Sequence, residues 1–297
     1  MQHDNIRLDN IDGIFAHSGI AVDVLRLDLI HPLVSGNKWY KLKIYLQEAE
    51  TQNKSTILTF GGAYSNHILA TAAACKDKGF SSIGIMRGEE PKQYSNTLLQ
   101  AQSLGMKLYF ISRDAYKKKT IPNSVYEETE QQYIYLINEG GYGLPGRKGA
   151  ESIMEEITKP DYTHILVAIG TGTTLAGLVA AKTYKQQVIG ISVLKNNLTL
   201  PQKINALLPE KLHDQYILFH QFHFGGYAKQ GAALINFMNQ WFRQTGIPTD
   251  FVYTGKLFYA ANELVNENYF ERGSKLLFIH SGGIQGNHSL PNGTLIF

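Results

Sequence analysis

Apolar residues along this chain fall into two alternating forms: short unbroken runs, and longer stretches spaced to line one face of a helix. The first segment with a clear period is 21–29, where alternation predicts a strand that His31-Pro32 brings to an end. The pattern then predicts a helix over 39–50, a buried strand over 57–60, a loop over 61–67 and an alanine-rich helix to about residue 78. Strands over 82–86 and 107–111 follow, separated by a helix over 96–104, and a further helix is expected over 125–138. Five glycines and Pro145 crowd into 140–149, which predicts a linker between two lobes. Beyond it come a helix to 157, a strand over 164–169, a helix to about 184 and a strand over 188–193. Helices over 197–208, 229–243 and 257–268, with strands over 216–219 and 275–280, complete the chain. Strand-helix alternation of this kind implies parallel sheets with helices on their faces. The expected fold class is therefore α/β with two lobes, each an open and mostly parallel sheet flanked by helices. The smaller lobe would run over 39–151, and the larger would combine 1–38 with 152–297.

Composition narrows the class without changing the fold. The chain has 297 residues, 43% of them hydrophobic and 18% charged, enough for one large or two ordinary α/β domains. A net charge of +3 is too small and too dispersed to suggest nucleic acid, and the basic run at Lys117-Lys118-Lys119 reads as a solvated loop. A single cysteine, Cys75, excludes an intramolecular disulfide framework and is expected to pack as a small apolar group. The start of the chain lacks the basic and apolar regions of a signal peptide, and the apolar run from Ile165 is broken by glycine and threonine, so it does not read as a membrane span. A cytoplasmic protein is the expectation.

Candidate chemistry gathers at the turns. In Ser35-Gly36-Asn37-Lys38, a lysine opens a helix directly after a turn whose glycine permits a close backbone approach. In a dry cleft its amine would be partly neutral and able to form a Schiff base with an aldehyde; on an open helix it would be an ordinary solvated cation. The loop Gly170-Thr171-Gly172-Thr173-Thr174 joins a buried strand to a helix, so unpaired N–H groups, the helix dipole and three hydroxyls could cradle an anion. It has neither the Lys-Ser/Thr of a nucleotide P-loop nor the spacing of a dinucleotide fingerprint, and suits a single terminal phosphate; a plain glycine-rich turn is the alternative. Ser65-Asn66-His67 enters a helix after the strand at 57–60, where open parallel sheets bind ligands, although Ser65 or Asn66 could equally be a helix cap. Ser281, ending the last strand, offers a hydroxyl to a ring nitrogen. Tyr227 and Tyr253 supply phenols beside glycines, among seventeen tyrosines whose default is structural. His220 and His223 fall in a phenylalanine-rich stretch expected to be a strand, which favours packing over metal ligation.

Taken together, Gly36-Asn37-Lys38-Trp39-Tyr40-Lys41-Leu42, the 61–67 loop, residues 170–177, Val252-Tyr253-Thr254-Gly255-Lys256 and Ile279-His280-Ser281-Gly282-Gly283 resemble the pyridoxal-phosphate enzymes of the tryptophan-synthase-β fold. The branch they resemble is that of 1-aminocyclopropane-1-carboxylate deaminase and D-cysteine desulfhydrase. The resemblance implies pyridoxal 5'-phosphate in the cleft between lobes, with Lys38 carrying its Schiff base and moving the substrate α-proton, and Lys41 the rival. It implies that Gly170, Thr171, Gly172, Thr173 and Thr174 hold the phosphate, that Asn66 meets the phenolic oxygen, and that Ser281 faces the ring nitrogen with Thr254 also at the cofactor. Ser65, Asn66 and His67 would hold the substrate carboxylate, while Tyr227 and Tyr253 line the reacting face. Cyclopropane deaminases carry glutamate after the motif tyrosine; Thr254 stands there, which favours α,β-elimination of the desulfhydrase type on a small amino acid. Racemisation, dehydration, cyclopropane ring opening and a cofactor-binding protein without turnover are the alternatives, and a homodimer is implied.

Overall fold

The computed structural model of the chain describes residues 5–158 and 161–297. Its order begins with the hairpin β1 (Leu8–Asn10) and β2 (Ala21–Arg26), followed by α1 (Asn37–Thr51), β3 (Thr56–Gly61), α2 (Asn66–Lys78) and β4 (Ser81–Arg87). Then come α3 (Asn96–Ser103), β5 (Lys107–Ile111), the short α4 (Arg113–Lys117) and α5 (Asn123–Glu128), β6 (Ile134–Ile137) and α6 (Leu144–Glu151). The remainder is β7 (His164–Ile169), α7 (Thr173–Ala181), β8 (Gln187–Ser192), α8 (Leu200–Asn205), β9 (Ile217–Phe219), α9 (Ala232–Thr245), α10 (Thr254–Asn266) and β10 (Lys275–His280).

The strands form two sheets. One has the order β1-β2-β10-β7-β8-β9, the other β5-β4-β3-β6. Every pairing is parallel except that of β1 with β2, which closes one edge of the larger sheet. Parallel strands buried on both faces need unbroken apolar runs, and β7 supplies one, with Ile165, Leu166 and Val167 all fully buried. One apolar cluster reaches from Ile57 and Ile137 of the smaller sheet through Tyr40, Tyr45 and Ala150 to Val167 and Leu277 of the larger. On the other face of the larger sheet, Trp241 stacks on Phe258 at 4.7 Å, and Phe258 lies 5.7 Å from Phe278. The α/β class and the parallel sheets expected from the pattern are what the chain adopts.

Two local expectations fail for tertiary reasons. The helix expected over 125–138 ends at Glu128, and Ile134–Ile137 is instead a strand whose register places Leu136 beside Leu58 of β3. Its Ile-Tyr-Leu-Ile sequence suits a pleated, half-buried edge, and pairing with β3 decides the matter. The linker expected over 140–149 is largely α6, and its glycines serve close packing. A Cβ on Gly149 would sit 2.2 Å from the Tyr40 carbonyl oxygen of α1, and one on Gly177 of α7 would sit 2.5 Å from the Ala150 Cβ. Small residues let these helix backbones approach. Smaller differences are that α8 is shorter than the 197–208 helix, that the helix expected to 184 stops at Ala181, and that Gln221–His223 is a single 3-10 turn, not a strand.

Candidate active site

The C-terminal ends of β3, β7 and β10 converge on a cavity of about 310 Å³. The connection from β10 makes this convergence tight. Gly36 has φ 64° and ψ −145°, and a Cβ there would lie 1.8 Å from the Ser281 carbonyl oxygen. Only glycine accepts both the conformation and the contact. The next residue, Asn37, is buried and donates from Nδ2 to Thr174 Oγ1 at 2.7 Å, which ties the start of α1 to the start of α7.

Lys38 follows on the first turn of α1, where its Nζ donates to Asn37 Oδ1 at 3.0 Å and lies 6.0 Å from the centre of the Tyr253 ring. Burial lowers its pKa to about 8, against a smaller opposing pull from the charge of Asp250. Lys41, three residues on and so on the same helix face, is 3% exposed and donates to the Gly140 carbonyl at 3.1 Å. Burial and then the neighbouring charge of Lys38 hold its amine well below the usual lysine range.

The loop after β3 brings Ser65, Asn66 and His67 to the same cavity. Ser65 caps α2 by accepting from the Ile68 N–H at 3.4 Å, so it is both cap and lining. Thr59 Oγ1 donates to the Ile137 carbonyl at 2.8 Å, so the His67 Nε2 lying 2.9 Å away must be the donor between them. The tautomer thereby fixed leaves Nδ1 as a bare acceptor, and that atom is buried with no partner. Burial first, then the charges of Lys38 and Lys41, keep the ring neutral. Asn66 Oδ1 is likewise buried and unpartnered.

Residues 170–174 form the opposite wall. Gly172 has φ 85° and precedes α7 without a side-chain cap, so the first-turn N–H groups stay available to an anion. Thr171 Oγ1 and Thr173 Oγ1 are 3.0 Å apart. Tyr227 and Tyr253 meet edge to face at 6.1 Å, and burial raises both phenols above their ordinary range, Tyr253 most. Ser281 is 9% exposed at the end of β10.

The cavity thus collects Lys38, Ser65, Asn66, His67, Gly170, Thr171, Gly172, Thr173, Thr174, Tyr227, Tyr253 and Ser281, as the sequence suggested. Thr254 is the exception. It is fully buried outside the lining, with its hydroxyl donating to Asp250 Oδ1 at 2.8 Å and accepting from the Asp250 N–H at 2.8 Å. Asp250 itself escaped sequence reasoning. Its carboxylate also accepts from the N–H groups of Val252, Tyr253 and Thr254, which fixes the start of α10 and with it the Tyr253 ring. Arg87, Glu139 and Lys203 also line the cavity. With Lys38 and Lys41 they make four basic side chains against one carboxylate, a surface suited to anions.

The comparisons with known proteins agree with this geometry. The family model for pyridoxal-phosphate dependent enzymes matches residues 6–282. The chain belongs to that family. A mitochondrial bifunctional D-cysteine desulfhydrase/1-aminocyclopropane-1-carboxylate deaminase of Arabidopsis thaliana is 30% identical over 91% of this chain and 74% of its own. A Pyrococcus furiosus protein provisionally named a 1-aminocyclopropane-1-carboxylate deaminase is 29% identical over 94% of this chain and 89% of its own. A solved homologue of that deaminase superposes with a TM-score of 0.82 at 28% identity, covering 95% of this chain and 90% of the other.

The residues present fit the family's cofactor. A suppressed lysine amine, an uncapped helix N-terminus and two unpartnered buried acceptors share one cavity. No group of His, Cys, Asp and Glu suited to a metal ion occurs among the described residues, and no helix there is long and apolar enough to cross a membrane.

Proposed function

We propose that this pyridoxal-phosphate enzyme removes the α-proton and a β-substituent from a small amino acid, in the manner of a D-cysteine desulfhydrase. The observation that carries the reading is the Lys38 amine, with its pKa near 8, facing the same cavity as the helix-start loop at 170–174. When bound, pyridoxal phosphate supplies the electron sink that makes the substrate Cα–H bond acidic. The loop and the α7 dipole would hold its phosphate, and Lys38 its aldehyde carbon. Ser281 would present a hydroxyl, not an acid, to the ring nitrogen. The Ser65 hydroxyl and the backbone N–H groups of Asn66 and His67, which open α2, would hold the substrate carboxylate, since the neutral His67 ring has already given its one N–H to Thr59.

Lys38 would then take the α-proton, a step suited to an amine whose pKa lies near the operating pH and not well above it. Departure of the β-substituent with its bonding electrons, followed by hydrolysis of the resulting enamine, yields a 2-oxo acid and ammonia. Tyr253, locked by Asp250 and close to Lys38, would orient the reacting face. Cyclopropane ring opening is a second reading, favoured by the names of the relatives. Thr254 argues for elimination on the strength of the family resemblance. A homodimer in the cytoplasm, with lobes divided at about 39–151, accompanies the proposal. Purified protein given D-cysteine should release sulfide and pyruvate in equal amounts, and 1-aminocyclopropane-1-carboxylate should yield little 2-oxobutanoate. Borohydride reduction should leave the pyridoxyl label on Lys38; label elsewhere, or none, overturns the assignment.

A further inference from the structure

Beside the first cavity lies a second compartment of about 260 Å³, and Asn66 and Tyr227 line both. Their chemistry differs sharply. Four basic side chains and one carboxylate line the first, whereas none of the side chains lining the second carries a charge. Its most buried lining is the inner wall of Phe251 and Val252, 4% and 6% exposed, and Leu290, which packs against their cluster, and Pro291 also line it.

The inner wall is braced. Asp250 holds the Val252 N–H at 2.9 Å, the Phe251 N–H donates to Asn287 Oδ1 at 3.2 Å, and Asn287 Nδ2 donates to the Thr249 carbonyl at 2.8 Å. The segment behind the compartment and the turn beside it are therefore pinned to one another. This wall runs directly into Tyr253 of the first cavity, and Asn66 Oδ1 is a buried acceptor without a partner at the junction.

We infer that the compartment receives an uncharged, partly apolar extension on the substrate's β-carbon, so that the substrate class is amino acids with a bulky neutral substituent, such as S-alkyl or S-aryl cysteines. The inference rests on the functional reading above and narrows it. A charged extension would enter without a counter-ion, which is costly, whereas an apolar one gains by leaving water. The elimination is unchanged: the α-proton goes to Lys38, the Cβ–S bond breaks, and the sulfur leaves with the electron pair as a thiolate.

Binding separates this inference from turnover. Alanine and homophenylalanine both lack a β-leaving group, so calorimetric titration of the holoenzyme measures occupancy alone. Homophenylalanine should bind at least about tenfold more tightly than alanine, given what apolar pockets contribute per added group. Leu290→Trp, which fills the compartment, should abolish that advantage and leave alanine binding unchanged. Ser289→Trp, at an exposed position on the same rim, is the second variant should the first fail to fold. Equal affinity for the two ligands, or an equal loss of both in the variants, overturns the compartment's role. Absence of the pyridoxyl label on Lys38 overturns instead the reading of the site as a whole.

Discussion

Replacing Lys38 by methionine should stabilise the protein without its cofactor. The ordinary lysine pKa of 10.5 falls to about 8 in the folded state because burial disfavours the ammonium. A base whose folded pKa is depressed binds fewer protons folded than unfolded, so it destabilises the fold wherever the unfolded chain is charged. The penalty is complete below the folded value and lifts as pH rises from about 8 towards 10.5. Its full size is about 3 kcal/mol at pH 7, falling to about 1 kcal/mol at pH 10. Lys38 keeps part of its surface towards the cavity, and solvent screening there reduces the expected value at pH 7 to about 2 kcal/mol. Urea unfolding of apoprotein, followed by fluorescence at pH 7 and pH 10, measures this directly. Lys38→Met should raise the midpoint at pH 7, and the gap from wild type should close substantially by pH 10. A variant less stable than wild type at pH 7, or a gap that does not narrow with pH, would refute the claim that burial holds this amine under tension.

Two other perturbations test the frame around the amine. Gly36→Ala would drive a Cβ into the Ser281 carbonyl at a φ that only glycine adopts freely, and should cost about 3 kcal/mol or more; a urea midpoint matching wild type would contradict the contact. Thr59→Val removes the acceptor of the His67 Nε2–H and the donor to the Ile137 carbonyl, at about 1–3 kcal/mol. Nitrogen-15 spectra of the wild type should show His67 protonated at Nε2 near neutral pH, and an Nδ1–H signal would reverse the direction of that chain of bonds.

What the sequence made legible was whatever is decided within a few residues. The β7-loop-α7 unit needs only an apolar run, a Gly-Thr-Gly turn and a helical apolar stretch, and the strand and the start of the helix lie where that pattern puts them. The strand at Ile134–Ile137 and the helix at Leu144–Glu151 were misread because their neighbours are distant, β3 in one case, α1 and α7 in the other. The family resemblance puts Thr254 at the cofactor, but Thr254 lies outside the cavity lining. Successive residues entering a helix point about 100° apart, and the Thr254 hydroxyl is already taken by Asp250. Asp250 gave no signal of its own, because most of its partners are backbone N–H groups that every sequence possesses.

The deeper reason lies in how the reactive amine is held. Among the described residues no carboxylate is bonded to Lys38; its place is set by Gly36 against Ser281 and by Asn37 against Thr174, a hydrogen bond that joins residues 137 positions apart in the chain. Those same contacts bring together the loops that would take the phosphate and the ring. The lysine therefore reaches its suppressed state only when the ends of β7 and β10 are already seated beside the start of α1. Burial of the amine and assembly of the pocket rest on the same long-range contacts, which is why a short motif could name the residue without giving the depression of its pKa.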